Sequence, residues 1–185
     1  MKMKQQSVLE RDDILLLLLL AMAEGSRHRV ASITRIEKLM FLLQNETAFS
    51  GKMHEKFPFK PWKFGPFSKE IYEDLDLLAS LGLVDIEERE LANYVEYTEQ
   101  DKLMGSELMG SELGEPVVEK IFSLTDRGKK VAEKLRTLVS EKDWQEIASL
   151  KRRFESVPLS RLIQYVYHRY PETTEKSVLE HLKAR

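Results

Sequence analysis

The chain of 185 residues has no cysteine, which excludes thiolate zinc sites, iron–sulfur clusters, thiol nucleophiles and disulfide staples. Histidine is scarce: His28, His54, His168 and His181 are scattered, with no HExxH pair and no metal-ligand spacing. The eight glycines form neither a phosphate-cradling loop nor a GxSxG nucleophile turn. The apolar run Ile14–Ala23 spans ten residues, half of the roughly 20 needed to cross a bilayer. Lys2, Lys4 and Ala21-Met-Ala23 imitate a signal peptide, but the acids Glu10, Asp12 and Asp13 directly before the run contradict that reading. A buried first helix in a cytoplasmic protein is the expectation. Charged residues are 32% of the chain, yet the net charge is only -2, so no global field draws it to nucleic acid or membrane.

What is present is a succession of helical signals around one unusual stretch, Lys60 to Val84, KPWKFGPFSKEIYEDLDLLASLGLV. A helix is expected over Val8–Glu24, opened by the capping box Ser7–Glu10 and closed at Gly25. Thr34-Arg-Ile-Glu37 reads as a second capping box, followed by Ile36, Leu39, Met40 and Leu43 at helical spacing. Pro58, Pro61 and Pro66 forbid a helix between Ser50 and Phe67. A third helix starts near Ser68, turns Ile71, Leu75 and Leu78 inward, and stops at Gly82 with Leu83 folding back. Val84–Glu87 and Asn93–Thr98 read as strands, and Val117–Leu124 as the returning strand. Between them the pentapeptide MGSEL occurs twice, Met104–Leu108 and Met109–Leu113, which reads as a wing tip. Thr125 caps a fourth helix, Ser140 and Asp143 open a fifth, and Pro158 opens a sixth that closes before Pro171.

This order specifies a mainly α (α+β) fold: a winged helix-turn-helix domain over residues 1–139, with its wing at about 84–124. A helical C-terminal extension, 140–185, packs on it. Winged helices position a surface for binding and seldom do chemistry. With the acids arranged in runs rather than singly in apolar pockets, no catalytic residue, metal ligand or cofactor is expected, and the protein is not read as an enzyme.

Charge is divided by segment. Residues 51–69 carry five lysines against Glu55, whereas residues 70–90 carry eight acids against Arg89, and 91–116 six acids against Lys102. The third helix therefore exposes Glu70, Glu73, Asp74 and Asp76 where a DNA-reading helix would neutralise phosphates. Like charges repel, so these four acids are the candidate contacts for a basic protein partner. The alternative is a nucleic-acid surface built from Lys52, Lys56, Lys60, Trp62, Lys63 and Lys69, where lysines alternate with aromatics that can stack on bases. Lys151, Arg152 and Arg153 would add to it, and the protein would act as a homodimer to bring two basic patches onto one duplex. The plainer reading of this segment is that the aromatics anchor the turn to the core while the lysines are solvated.

Two of these segments, Glu37-Lys-Leu-Met-Phe-Leu-Leu-Gln44 and Trp62-Lys-Phe-Gly-Pro-Phe-Ser-Lys-Glu-Ile-Tyr72, resemble the Panacea domain of SocA-type antitoxins and the related YwgA-like proteins. The resemblance covers residues 33–84. It implies a non-catalytic regulator, antitoxin-like or an adaptor, that binds a protein partner. The residues carried over are the signature positions Lys38, Leu39, Phe41, Gln44, Trp62, Gly65, Pro66 and Tyr72. The duplicated pentapeptide and the long helical C-terminus depart from the family pattern.

Overall fold

A computed structural model of the protein describes residues 9–23, 31–90, 118–154, 156–179 and 183. The leucine run forms helix α1 (Arg11–Ala23), whose residues Ile14 to Ala21 are all buried. A helix apolar on every side must be covered on every side, and α1 is packed by elements that come later in the chain. Its start differs from the sequence reading: the helix begins at Arg11, and the Asp13 carboxylate accepts from the Glu10 N–H at 3.1 Å. Ser7 and Gly25 lie outside the described residues. No described helix is long and apolar enough to cross a membrane.

After α1 come strand β1 (Ala31–Ser32), helix α2 (Ile33–Glu46) and a 3-10 turn (Ala48–Lys52). Strands β2 (Lys60–Trp62) and β3 (Gly65–Phe67) then form a hairpin that leads into helix α3 (Lys69–Ser80). The expected cap at Thr34 is two residues late. Ser32 caps α2, its hydroxyl accepting from Arg35 N–H at 3.3 Å, and Glu37 is buried instead of reaching back to the helix start. On α3, Ile71, Leu75 and Leu78 face inward as the periodicity requires. Gly82, at φ 66°, lets Leu83 N–H turn back to Leu78 C=O at 2.9 Å, and this left-handed cap ends the helix.

Strands β4 (Val84–Glu90) and β5 (Val118–Leu124) pair antiparallel, and β1 joins the other edge of β5, giving the sheet order β1-β5-β4. The pairing Ile86↔Phe122 and Ala31↔Phe122 locks the register. The strand expected at Asn93–Thr98 and the MGSEL repeat lie outside the described residues.

Helix α4 (Asp126–Leu138) opens at Thr125, whose hydroxyl accepts from Gly128 N–H at 2.9 Å. Helix α5 (Glu141–Phe154) opens at Ser140, which accepts from Asp143 N–H and donates to its carboxylate. Helix α6 (Leu159–Arg169) follows Pro158, which is the residue before the helix and not in its first turn. Leu162, Ile163 and Val166 of α6 and Ile147, Leu150 and Phe154 of α5 belong to the same apolar cluster as α1 and α2. The Arg35 guanidinium ties α2 to the end of α5 by donating to the Phe154 and Val157 carbonyls at 3.0 and 2.9 Å. The architecture is mainly helical, with a small antiparallel β part.

Candidate binding surface

The hairpin is held from below by the polar residues of α2. Lys38 is almost fully buried, 1% exposed, and its Nζ donates to the Pro66 carbonyl at 2.9 Å and to Glu37 Oε2 at 3.3 Å. Glu37 Oε1 is buried without a hydrogen-bond partner. Burial pushes the Glu37 carboxyl above its ordinary range, against the pull of Lys38 and the Ser68 N–H. Burial likewise lowers Lys38, against the pull of Glu37. One turn further along, Gln44 clamps Phe57: its Oε1 accepts from Phe57 N–H at 2.7 Å and its Nε2 donates to Phe57 C=O at 3.2 Å. A buried amide that satisfies both backbone groups of one loop residue leaves no orphan backbone group there.

From above, Gly65 has φ 89°, and a β-carbon built there would lie 2.8 Å from Tyr167 Cε1. Tyr167 in turn shares a 2.6 Å hydrogen bond with Ser177, and Val178 N–H donates to Lys63 C=O at 2.9 Å. The C-terminal segment thus buttresses the hairpin that α2 supports.

The aromatics of this segment divide between two roles. Phe57 and Phe64 are buried in the core, as an anchored turn requires, but Trp62 is 42% exposed. Its ring leads a tilted ladder, Trp62–Phe67–Tyr72, with centroid spacings of 6.1 and 5.5 Å. Lys60 Nζ lies 5.9 Å from the Phe67 ring and Lys176 Nζ 5.9 Å from the Trp62 ring. Tyr72 presents a ring face to solvent, while desolvation, then the Glu37 charge, pushes its hydroxyl up. The expectation that every aromatic of the turn is core-anchored is therefore corrected at Trp62, which stands at the end of β2 next to the turn and keeps its indole partly in solvent.

The four acids of α3 are unequal. Asp74 is half-buried, its Oδ2 lying 3.2 Å from Arg11 Nε, and burial raises its carboxyl. Glu70 accepts from the Ser68 hydroxyl at 2.5 Å, which lowers its pKa. Glu73 pairs with Lys69 at 2.5 Å. Asp76 is exposed. Beside Glu73 and Asp76 stand Leu77, 49% exposed, and Leu81, 47% exposed, and the following strand β4 exposes Ile86 and Glu88 on one face and Asp85 on the other. Sequence periodicity located the buried face of α3, but it gave no hint that the outer face is apolar at its centre.

The basic candidates are spread over several elements. Lys60 and Lys63 sit on the hairpin, Lys69 is spent on Glu73, and Lys52 and Lys56 flank the strand-like bridge between Leu9 and Met53. The Lys151–Arg153 cluster, expected to add to a nucleic-acid surface, is only partly exposed. Lys151 is buried, because it falls on the inward stripe with Ile147 and Phe154. Arg153 donates to Glu46 Oε2 at 3.0 Å and stacks on Tyr165 at 4.5 Å. Glu46, Arg11 and Lys176 have central places in these networks, and no motif marked them. Among the described residues, no group of three or more His, Cys, Asp or Glu could hold a metal ion. No family model, no curated protein and no solved structure matches the chain.

Proposed function

We propose that this chain is a non-catalytic regulatory protein of winged-helix type, antitoxin-like or an adaptor, that binds a basic protein partner through the outer face of α3 and the adjoining β4. The order helix, short strand, helix, hairpin, helix, two strands, with β1 paired to the last strand, supports the winged-helix reading. In that reading α3 occupies the recognition position. The resemblance to SocA-type antitoxins is part of the same proposal. Lys38, Gln44 and Gly65 work as hairpin supports here, which suits signature residues of a scaffold without chemistry.

The observation that carries the reading is the pairing of Leu77 and Leu81 with exposed carboxylates on α3. An apolar centre within an acidic rim is the composition of a protein-binding patch, and it repels a phosphate-lined groove. The test is capture of the native partner by Glu73→Lys/Asp76→Lys and by Leu77→Ser. Both variants should lose the partner while keeping the native melting temperature, and unchanged capture by both overturns the reading. Asp74→Lys is unsuitable, since it would break the contact with Arg11.

A second reading, single-stranded nucleic acid on the Trp62–Phe67–Tyr72 ladder, is favoured by one observation, the exposure of Trp62 between Lys60 and Lys176. Stacking aromatics flanked by ammonium groups bind strands without sequence preference. Quenching of Trp62 fluorescence by an oligonucleotide, lost in Lys60→Glu/Lys176→Glu and falling steeply with salt, would support it. No quenching at low salt removes it.

A further inference from the structure

A cleft of ≈ 600 Å³ lies between the end of α2, the 3-10 turn after it and one stripe of α5. Its volume is that of a small-molecule site. It shares no residue with the α3 face or with the aromatic ladder.

Its charges sort into spent and unspent. Glu146 Oε2 accepts from Phe49 N–H at 2.7 Å, and so caps the 3-10 turn. Glu46 Oε1 accepts from the Tyr165 hydroxyl at 2.7 Å, and its Oε2 accepts from Arg153. Both acids lining the cleft therefore already serve the fold. The cations Lys142 and Arg152 do not: among the described residues neither has a carboxylate partner. Arg152 reaches only Gln145 Oε1, at 3.5 Å, the outer limit of a hydrogen bond. That weak contact shows the Arg152 side chain running back along α5 toward Gln145, seven residues earlier. Lys142 is one further turn along the same stripe. Both cations line the cleft, together with the hydroxyl residues Ser149 and Thr47.

We propose that this cleft binds a small oligophosphate, with Arg152 taking one phosphate in its planar fork and Lys142 a neighbouring one. A guanidinium whose donors are mostly unused matches phosphate geometry in two parallel bonds, and an ammonium supplies the point charge beside it. A long polyanion is a poorer fit. A strand tracking along α5 would pass Glu141, Glu146 and Glu46, whereas a compact ligand engages the two cations alone.

The test is calorimetric titration of the full chain with inorganic tripolyphosphate at fixed ionic strength. Arg152→Gln and Lys142→Gln are the variants, and Lys134→Gln, on exposed α4, is the control. Saturable one-to-one binding is expected, weakened at least about tenfold by each cleft variant, as for loss of one charge-assisted pair, and unchanged in the control. Thermal melts of all three variants should match the native chain, since neither cleft cation supports the fold. Absence of binding overturns the proposal, as does equal weakening in Lys134→Gln. Binding of a twenty-nucleotide strand through the same two residues, tighter than tripolyphosphate, also overturns it in favour of a nucleic-acid contact.

Discussion

The ammonium of Lys38 and the carbonyl of Pro66 lie 2.9 Å apart in the interior, joining the middle of α2 to the returning strand of the hairpin. This contact fixes where the Trp62–Tyr72 ladder stands relative to the core. It also requires a charge to be buried, which is tolerable only because Glu37 stands beside it.

Replacing Lys38 by Met should therefore destabilise the fold by about 3–5 kcal/mol, because the Glu37 carboxylate is left buried without a cation. Glu37→Gln in the same chain should recover part of that loss. The deficit should also depend on pH. Glu37 has its folded-state pKa raised above the ordinary 4.5, so the folded chain keeps a proton that the unfolded chain has released. Its contribution to stability therefore falls as pH rises through that window. Losing Lys38 removes the cation that opposes the shift and widens the window. Lys38 itself, lowered from 10.5, contributes stability that rises with pH and is absent from the variant, so both effects enlarge the deficit as pH rises. Urea unfolding at several pH values should show a deficit that is smallest in mild acid and grows toward neutrality. A deficit independent of pH would contradict this account of the pair.

Gly65→Ala should cost at least about 1–2 kcal/mol from the positive φ alone. The contact with Tyr167 adds to this, because the new methyl would lie 2.8 Å from a ring carbon that Ser177 helps to hold in place. A urea midpoint that falls at constant slope is the expected result. An unmoved midpoint would mean that the hairpin and the C-terminal segment do not pack as described.

The two tryptophans should behave oppositely. Trp144 is buried, with the Arg136 guanidinium 4.7 Å from its ring centroid, and Trp144→Ala should cost about 3–5 kcal/mol. Trp62→Ala, at an exposed position, should cost about 1 kcal/mol or less. Iodide should quench Trp62 and spare Trp144. Equal stability losses for both would place the Trp62 indole in the core.

Much of the fold was legible along the chain because it rests on local signals. The Ile14–Ala21 run, the inward triad Ile71, Leu75 and Leu78, the left-handed Gly82 and the caps Thr125 and Ser140 all act within a few residues of themselves. Periodicity and capping chemistry are sufficient to read them. Strand β1 was not legible: two residues carry no pattern, and they become a strand only because Ile121 and Phe122 arrive from much later in the chain.

The candidate surfaces divide along the same line. Sequence by itself determined which helices exist, where α3 ends and which of its residues face inward, because those follow from spacing and backbone conformation. It also supplied the acidic character of α3. Tertiary structure alone decided the state of each charged group: Asp74 half-buried against Arg11, Lys151 turned inward, Glu46 and Glu146 occupied, Lys142 and Arg152 left unpaired. The reason is physical, since a charge is satisfied or stranded by neighbours that a fold collects from distant segments, and its value for binding is whatever remains after the fold has used it.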